Sequence, residues 1–277
     1  MWYSHDEHLF RRVDIYVPEV YKECTEPLPV LYLIHGINGY EGAWQERGNG
    51  VDTFATMIAE GRCKPMILVM PDCNKWPIKE RPLTRGNRLR SVLGYASLSH
   101  EHTLEYALSD LINMIDTLYD VSPYCVVAGL SDGARMAANL ANIRPERIRE
   151  VGLFSPVLHK EQLPMDTTQL LSVYIGSADI FAPNGRRLHR RLQKKNYPHQ
   201  WIVLPGNHDW PVWRVCLSHF LEHLRLNGRG EQSVNGLNNR SDTDSRYRSA
   251  WASTPCISRP SPVSIPHHRP EPARGCL

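Results

Sequence analysis

The sequence predicts an α/β protein built on a doubly wound, mostly parallel sheet. Two observations support this fold class over the first 227 residues. Short apolar runs of strand length alternate with longer segments of helical spacing, which is the order expected of parallel βαβ units. Several of the short runs are continuously apolar, as strands covered on both faces should be.

The N-terminal part contains three predicted strands and one helix. The stretch "RVDIYVP" (residues 12–18) alternates apolar and polar side chains and is typical of an edge strand. The runs "PVLYLIHG" (29–36) and "PMILVMPD" (65–72) are continuously apolar and predict buried strands. Between them, "VDTFATMIAEG" (51–61) has helical spacing and stops at a glycine, the usual left-handed terminator.

The second half alternates more regularly. Residues 74–99 have no clear period and carry Arg, Lys and Pro, which predicts a long surface loop. Residues 101–119 predict a helix with one apolar stripe. Strands are then predicted at 125–130, 149–156, 171–179 and 199–206, and helices at 132–141, 185–195 and 211–224.

Composition changes past residue 227, where Pro, Ser, Arg and Asn dominate and apolar residues are too sparse to offset the entropy of ordering. We therefore predict one domain over residues 1–227 and a disordered tail over 228–277. The tail holds seven arginines against four acidic residues, so the domain itself has no net formal charge. A neutral domain argues against a nucleic-acid partner, which requires a basic face.

The seven cysteines show no paired spacing, and an odd number predicts free, mostly buried thiols. The apolar runs are of strand length, so no membrane partner is expected. The charged N-terminus lacks the apolar stretch of a signal peptide, which favours a soluble, cytoplasmic protein. A leader upstream of Met1 is left open.

A serine between two glycines stands where a predicted strand meets a predicted helix, in Gly129-Leu130-Ser131-Asp132-Gly133. The pattern G-x-S-x-G in that position is the nucleophile elbow of α/β-hydrolases. The turn is so sharp that side chains at positions 129 and 133, two residues before and after the serine, would collide with neighbouring backbone, so glycines occupy them. The alternative role for Ser131, a helix N-cap, is common but leaves the glycines unexplained.

A nucleophilic serine needs a base and an acid that orients the base, in the chain order Ser, acid, His. Asp179 follows the strand that ends near Ile175, and His208 follows the strand that ends near Leu204. Each residue alone has a structural alternative, a turn residue or a buried histidine. Their order and matching positions favour a catalytic triad with Ser131. Asp209 is a weaker candidate for the acid, because adjacent residues rarely face each other.

An oxyanion hole requires two donors. We predict the backbone N–H of Asp132 and, from the loop His35-Gly36-Ile37, the backbone N–H of Ile37, with that of Asn38 as a second choice. His35 is interpreted as a brace for this loop. The Asp132 carboxylate fits the first turn of a helix, where negative charge is favourable. The alternative is that it selects a cationic or hydroxyl-bearing substrate.

The chain resembles the esterase family of α/β-hydrolases that includes esterase D-type enzymes, feruloyl esterases and antigen 85 mycolyltransferases. The feruloyl esterases are the most similar, and the resemblance implies the same roles for Ser131, Asp179 and His208. This chain has Asp132-Gly133-Ala134 where that family typically has Met-Gly-Gly. The matching stretches are "RRVDIYVPEVY", "PVLYLIHGINGYEGAW", "IAEGRCKPMILVMPD", "LINMIDTLYDV", "VAGLSDGARMAANLA", "IGSAD" and "PGNHDWPVW".

The expected activity is hydrolysis of a small-molecule carboxylic ester through an acyl-serine, without a cofactor. The acyl group is expected to be feruloyl, acetyl or another small acyl on a sugar or alcohol. The alternatives are an acyltransferase with the same triad and a catalytically weak hydrolase fold acting as a binding module. No metal site is expected, because the pairs His5/His8 and His100/His102 lack a third ligand. The candidate substrate contacts are Asn38, Trp76, Trp210 and Trp213.

Overall fold

The computed structural model describes residues 1–5, 8–73, 103–158 and 166–225. All of them lie in the first of the two units into which the chain divides, Met1–Asp242. The predicted surface loop at 74–99 with Trp76, the pair His100/His102 and the predicted tail at 228–277 fall outside the described residues.

The described residues form a two-stranded hairpin and a seven-stranded sheet. The sheet has the order β3-β5-β4-β6-β7-β8-β9. Strand β3 pairs antiparallel with β5, and every other neighbouring pair in this sheet is parallel. The predicted doubly wound, mostly parallel sheet is therefore confirmed. The strands are β1 (Trp2–Ser4), β2 (Leu9–Arg11), β3 (Val13–Tyr16), β4 (Leu28–Ile34), β5 (Ile67–Pro71), β6 (Val121–Leu130), β7 (Ile148–Phe154), β8 (Leu170–Gly176) and β9 (His199–Leu204).

Helices cover both faces of this sheet. Side chains of α3, α4 and α5 pack in one apolar core, and side chains of α1, α2 and α6 pack in the other. A short 3-10 helix, Glu19–Lys22, precedes β4. The α-helices are α1 (Ala43–Glu46), α2 (Gly50–Ala59), α3 (Thr103–Leu118), α4 (Asp132–Ile143), α5 (Ala182–Lys194) and α6 (Trp210–Glu222).

The two cores explain why the central strands contain continuous apolar stretches, such as residues 125–130 of β6. Successive side chains of a strand point to opposite faces. In β6, Val126 belongs to one core and Val127 to the other, and both are fully buried. Each such side chain contributes about 1.5–3 kcal/mol by leaving water, so neither face of β6 tolerates a polar residue in the middle of the strand.

Most element boundaries lie within three residues of the predicted ones, and the differences have local causes. Helix α2 ends near Gly61, whose φ of +67° is the predicted left-handed terminator. Helix α5 begins at Ala182 rather than 185, since Pro183 is well suited to the first helical turn. The hairpin β1–β2 was not predicted, because three-residue strands are too short to show a period.

The parallel strands place three loops along one edge of the sheet. Strands β6, β8 and β9 all end there, with β7 lying between β6 and β8. The residues that follow these strands include Ser131, Asp179 and His208. Carboxyl ends of parallel strands are where open α/β sheets bind their ligands.

Two composition-based expectations can be compared with the described part of the chain. Cys24, Cys63, Cys73, Cys125 and Cys216 are free thiols, and the last three are buried. Burial raises the pKa of Cys125 to about 12, so this thiol stays protonated. None of the helices in the described ranges is long and apolar enough to span a bilayer.

Candidate active site

Ser131 stands alone between the last residue of β6 and the first residue of α4. Its backbone has φ 54° and ψ −115°, a conformation rarely adopted by residues other than glycine. Holding a side chain there costs about 1–3 kcal/mol, and such strain is typical of functional sites. The Ser131 N–H donates to the Phe154 carbonyl at 2.8 Å, which anchors the turn to the end of β7.

The two glycines of the elbow are required by close backbone approaches. A Cβ on Gly129 would lie 2.2 Å from the Gly133 carbonyl oxygen. A Cβ on Gly133 would lie 2.3 Å from the His35 carbonyl oxygen and 2.6 Å from that of Ile34. These contacts are far below van der Waals distance, and backbone atoms cannot move aside as a flexible side chain can. The pattern G-x-S-x-G therefore has a steric cause at both glycines.

Asp179 follows β8 in a loop tied to the end of β9. The Ser177 N–H donates to the Leu204 carbonyl at 2.7 Å, and the Ala178 N–H donates to the Gly206 carbonyl at 2.9 Å. The Asp179 carboxylate is fully buried and accepts the Phe181 N–H at 2.7 Å. A buried carboxylate needs hydrogen-bond donors. This backbone donor supplies one and fixes the side chain's orientation.

His208 lies in the loop after β9, close to Asp179 and Ser131. Its Nδ1 atom is 3.1 Å and 3.0 Å from the two Asp179 carboxylate oxygens, and its Nε2 atom is 3.0 Å from Ser131 Oγ. Because the carboxylate can only accept, Nδ1 carries a proton and Nε2 presents its lone pair to the serine hydroxyl. The structure thus brings the three predicted side chains within hydrogen-bonding distance of one another.

Two aromatic rings pack against the His208 imidazole. The Phe181 and Trp213 rings both lie edge-to-face with His208, with ring centroids 4.9 Å and 5.0 Å away. Trp210 continues the row with a centroid 5.4 Å from that of Trp213, and Trp44 lies 5.3 Å from Trp210. The Asp179 side chain is fully buried and that of His208 is 17% exposed, and this burial strengthens the electrostatic interaction between them.

The predicted substrate contacts differ in their surroundings. Trp213 is only 7% exposed and its ring lies edge-to-face with the imidazole, so its role as a substrate contact stays a prediction. Trp210 is half-buried and Asn38 is exposed. The roles of Trp210 and Asn38 stay predictions, and Trp76 lies outside the described residues.

The loop that follows β4 lies against Ser131. A Cβ on Gly36 would be 3.3 Å from Ser131 Cβ, so the backbone of this loop passes beside the serine. The Gly39 N–H donates to the Gly36 carbonyl at 3.0 Å and closes a turn around Ile37 and Asn38. Asn38 has φ 58°, a left-handed conformation that asparagine tolerates well. The predicted donor Ile37 N–H therefore belongs to a loop held close to Ser131.

His35 braces this loop. The Cys73 N–H donates to His35 Nε2 at 2.9 Å, and His35 Nδ1 lies 2.7 Å from the Gly36 carbonyl oxygen. Because a backbone N–H can only donate, Nε2 accepts and the proton resides on Nδ1. Both ring nitrogens are therefore engaged in holding backbone. This arrangement agrees with the interpretation of His35 as a structural residue.

Asp132 forms an ion pair one turn along its own helix. Arg135 Nε donates to Asp132 Oδ1 at 2.7 Å, and both side chains are largely buried. The carboxylate is therefore engaged by a guanidinium and by the favourable field of a helix N-terminus. This arrangement supports the structural interpretation of Asp132, whose backbone N–H remains the predicted oxyanion donor.

The described ranges show neither a metal-binding cluster nor an activated thiol near the triad. No cluster of three or more His, Cys, Asp or Glu side chains is arranged there to hold a metal ion. His5 of the pair His5/His8 lies 3.3 Å from an Asp110 carboxylate oxygen instead. Burial raises the pKa of the Cys216 thiol well above its usual value, and the negative charge of Asp179 adds to the shift. This thiol stays protonated and neutral.

Two residues beside the candidate triad were not predicted from the sequence. Phe181 packs on His208 and donates its N–H to Asp179. Ser155, which follows β7, accepts a hydrogen bond from Trp213 Nε1 at 3.1 Å. Phe181 could have been suspected because it lies two residues after the predicted acid. Ser155 had no local signal, since a serine before a proline at a strand end is typical of any turn.

One protein-family model matches residues 10–204, and its description is "Putative esterase". The matched stretch contains Ser131 and Asp179 and stops just before the loop with His208. The chain is 25% identical over 232 residues to an endo-1,4-beta-xylanase/feruloyl esterase of Xylanibacter ruminicola. That alignment covers 80% of this chain and 30% of the relative, so the chain spans less than a third of that protein's length.

Two solved structures give the same fold at lower identity. A CE1 ferulic acid esterase from Anaeromyces mucronatus, in complex with ferulic acid, has a TM-score of 0.62 and 21% identity and covers 80% of this chain and 88% of its own. The S-formylglutathione hydrolase of Staphylococcus aureus has a TM-score of 0.61 and 15% identity, covering 79% of this chain and 92% of its own. These similarities show that the described sheet has the α/β-hydrolase architecture.

Proposed function

The chain belongs to the "Putative esterase" family, and on that premise we propose that it is a serine esterase that cleaves a carboxylic ester through an acyl-serine intermediate. One observation carries the proposal. His208 Nε2 lies 3.0 Å from Ser131 Oγ, while His208 Nδ1 faces both oxygens of the buried Asp179 carboxylate. This is the spacing that proton transfer from a serine to an imidazole requires.

In the acylation step, Ser131 Oγ attacks the carbonyl carbon of the ester while His208 Nε2 takes the hydroxyl proton. The imidazole becomes positively charged, and the fully buried Asp179 carboxylate stabilises that charge. The tetrahedral intermediate collapses when the carbon–oxygen bond to the leaving alcohol breaks. The alcohol departs with the proton that His208 Nε2 returns to it.

The oxyanion of the tetrahedral intermediate is assigned to the backbone N–H groups of Ile37 and Asp132. Asp132 is the first residue of α4, where N–H groups have no partner within the helix. Ile37 lies in the loop that passes beside Ser131. Each such donor typically contributes about 2.7–4 kcal/mol to transition-state stabilisation.

In the deacylation step, water replaces the alcohol. His208 Nε2 removes a proton from the water, the hydroxide attacks the acyl carbon, and the proton passes to Ser131 Oγ as the acid is released. The cycle uses only the described side chains and water and requires no cofactor.

We assign the substrate to small acyl esters of a sugar or alcohol, with feruloyl and acetyl esters as the leading candidates. The similarity to a relative named as a xylanase/feruloyl esterase supports an aromatic acyl group. Trp210, half-buried in the row of aromatic rings beside the triad, and the exposed Asn38 are proposed to contact the substrate. An aromatic ring stacks well on a flat phenolic acyl group.

The proposal is tested with the purified 277-residue chain, a fluorophosphonate probe and a panel of acetyl, short-chain acyl and feruloyl esters. We expect one covalent adduct, mapped to Ser131, and hydrolysis of at least one ester. Ser131→Ala provides the control and should lose both. A folded wild-type chain that forms no adduct and cleaves none of the esters would contradict the proposal and favour a binding module.

The same assay distinguishes hydrolysis from acyl transfer. Added alcohol or sugar acceptors compete with water for the acyl-serine, so the ratio of new ester to free acid measures the preference of the enzyme. A hydrolase gives mainly free acid at millimolar acceptor. Predominant formation of the new ester would instead identify the chain as an acyltransferase with the same triad.

A further inference from the structure

The hydrogen bonds to Asp179 and Ser131 align His208, but they do not by themselves stop the ring from rotating about its own side-chain bonds. Such a rotation would carry Nε2 away from Ser131 Oγ. Resistance to it must come from groups packed against the ring. In the described part of the chain, these groups include the rings of Phe181 and Trp213.

The Trp213 ring is itself tethered. Its indole Nε1–H donates to Ser155 Oγ at 3.1 Å, and Ser155 is fully buried. The plane of the indole is almost perpendicular to the imidazole, at 87°, with centroids 5.0 Å apart. A rotation of the indole would therefore press on the imidazole or leave a gap beside it.

Ser155 is an unusually rigid anchor. It directly follows β7, its N–H donates to the Tyr174 carbonyl at 2.8 Å, and Tyr174 belongs to β8. Its φ of 52° is left-handed, a conformation that is costly for a residue with a side chain. The same strand end binds the nucleophile, since the Phe154 carbonyl accepts the Ser131 N–H. The tether and the nucleophile thus share one segment of backbone.

We propose that Ser155 and Trp213 are positioning residues for the catalytic base: the Ser155 hydroxyl fixes the indole, and the indole keeps the imidazole of His208 directed at Ser131. The inference rests on the proposed esterase function. Neither residue touches the reacting atoms, so loss of the tether should reduce the rate of proton transfer and leave substrate binding nearly unchanged. A misplacement of about 1 Å can cost up to a hundredfold in rate.

Two single variants and their combination test the tether. Ser155→Ala removes the acceptor and leaves the buried indole N–H without a partner, whereas Trp213→Phe removes the donor and keeps an aromatic ring. We expect each variant to lower kcat about tenfold with KM changed less than about twofold, and to slow fluorophosphonate labelling of Ser131 in parallel. The double variant should recover part of the stability lost in Ser155→Ala, because no unpaired donor remains, while kcat stays low.

A matched control comes from Trp2 on the hairpin β1–β2. Its buried indole Nε1–H donates to the carbonyl of Ala107 in α3 at 3.2 Å. Trp2→Phe deletes the same kind of buried hydrogen bond away from the triad. It should lower the melting temperature to a similar extent and leave kcat unchanged. If Trp213→Phe folds poorly, Ser155→Ala, which removes a single oxygen atom, decides the question at a temperature where it is folded.

The outcomes are separable from those of the proposed function. A wild-type chain that neither labels nor cleaves esters would overturn the esterase proposal and this inference with it. An active wild type whose Ser155→Ala variant has a kcat no lower than that of Trp2→Phe would overturn only this inference. A rise in KM at constant kcat would also overturn it, since it would make Trp213 a substrate contact.

Discussion

Two serines end two neighbouring strands of the same sheet in similar conformations but different surroundings. Ser131 follows β6 with φ 54°, and Ser155 follows β7 with φ 52°. Each serine donates its N–H to a carbonyl near the end of the next strand. The Ser131 N–H donates to Phe154 of β7, and the Ser155 N–H donates to Tyr174 of β8. The hydroxyl of Ser131 faces His208, whereas that of Ser155 is buried and accepts a bond from Trp213.

The difference lies in what flanks each serine. Ser131 stands between two glycines whose Cβ positions are occupied by backbone atoms of other segments, so the chain turns directly into α4. Ser155 is followed by a proline, and no helix begins within residues 156–158. A left-handed serine at a strand end is therefore not sufficient for the role proposed for Ser131. The helix that starts at once, with a histidine in reach, is what distinguishes Ser131.

The largest expected effect is on turnover. Ser131→Ala should lower kcat by about 10⁴-fold or more, because it removes the nucleophile of the proposed acyl-serine route. Ser155→Ala should lower it only about tenfold. Steady-state hydrolysis of the best ester in the panel measures both. Comparable losses in the two variants would erase the proposed distinction between a catalytic and a positioning serine.

How much of this could be predicted from the sequence follows from the same comparison. The turn at Ser131 can be predicted from a short stretch of sequence, because both glycines lie within two residues of Ser131 and the predicted strand and helix adjoin it. The acid and base were predicted because chain order and strand ends constrain them. The bond between Ser155 and Trp213 spans 58 residues and exists only after α6 has packed on the sheet. Its geometry leaves no periodic or motif signal in the sequence.

The next effect is on stability at the glycines. Gly133→Ala should cost about 3 kcal/mol or more, because the new methyl would lie 2.3 Å from the His35 carbonyl oxygen and only a shift of α4 could relieve it. Gly152→Ala, in β7, should cost about 1–3 kcal/mol, because its methyl would meet side-chain atoms of Ala128 and Phe220 at 2.9–3.0 Å.

Urea unfolding of the two alanine variants measures this difference. The comparison holds the chemical change constant and varies only what surrounds the new methyl group. Equal losses of unfolding free energy would mean that the backbone around Ser131 yields as readily as a packed side chain. The steric account of the G-x-S-x-G pattern would then fail.

A smaller effect concerns backbone strain. Ser131→Gly should be about 1 kcal/mol more stable than wild type, because glycine adopts φ 54° and ψ −115° without steric cost. Ser155→Gly relieves similar strain but leaves the Trp213 N–H without its acceptor, so its stability should not exceed that of wild type. Thermal unfolding of both proteins decides the matter. A more stable Ser155→Gly variant would show that the tether contributes little.

The smallest expected effect concerns the charged residue that follows Ser131. Asp132 stands at this position, whereas the residue after Ser155 is an uncharged proline. Asp132→Asn removes a negative charge near the developing oxyanion and leaves the positive charge of Arg135, so kcat should rise about two- to threefold. Arg135→Gln leaves the negative charge and should lower kcat by a similar factor, with the double variant near wild type. Each should cost about 0.2–0.5 kcal/mol of stability. A charge effect on the oxyanion must change sign when the sign of the removed charge changes. If kcat moved in the same direction in both single variants, or stayed unchanged on every ester, Asp132 would be limited to its structural role at the start of α4.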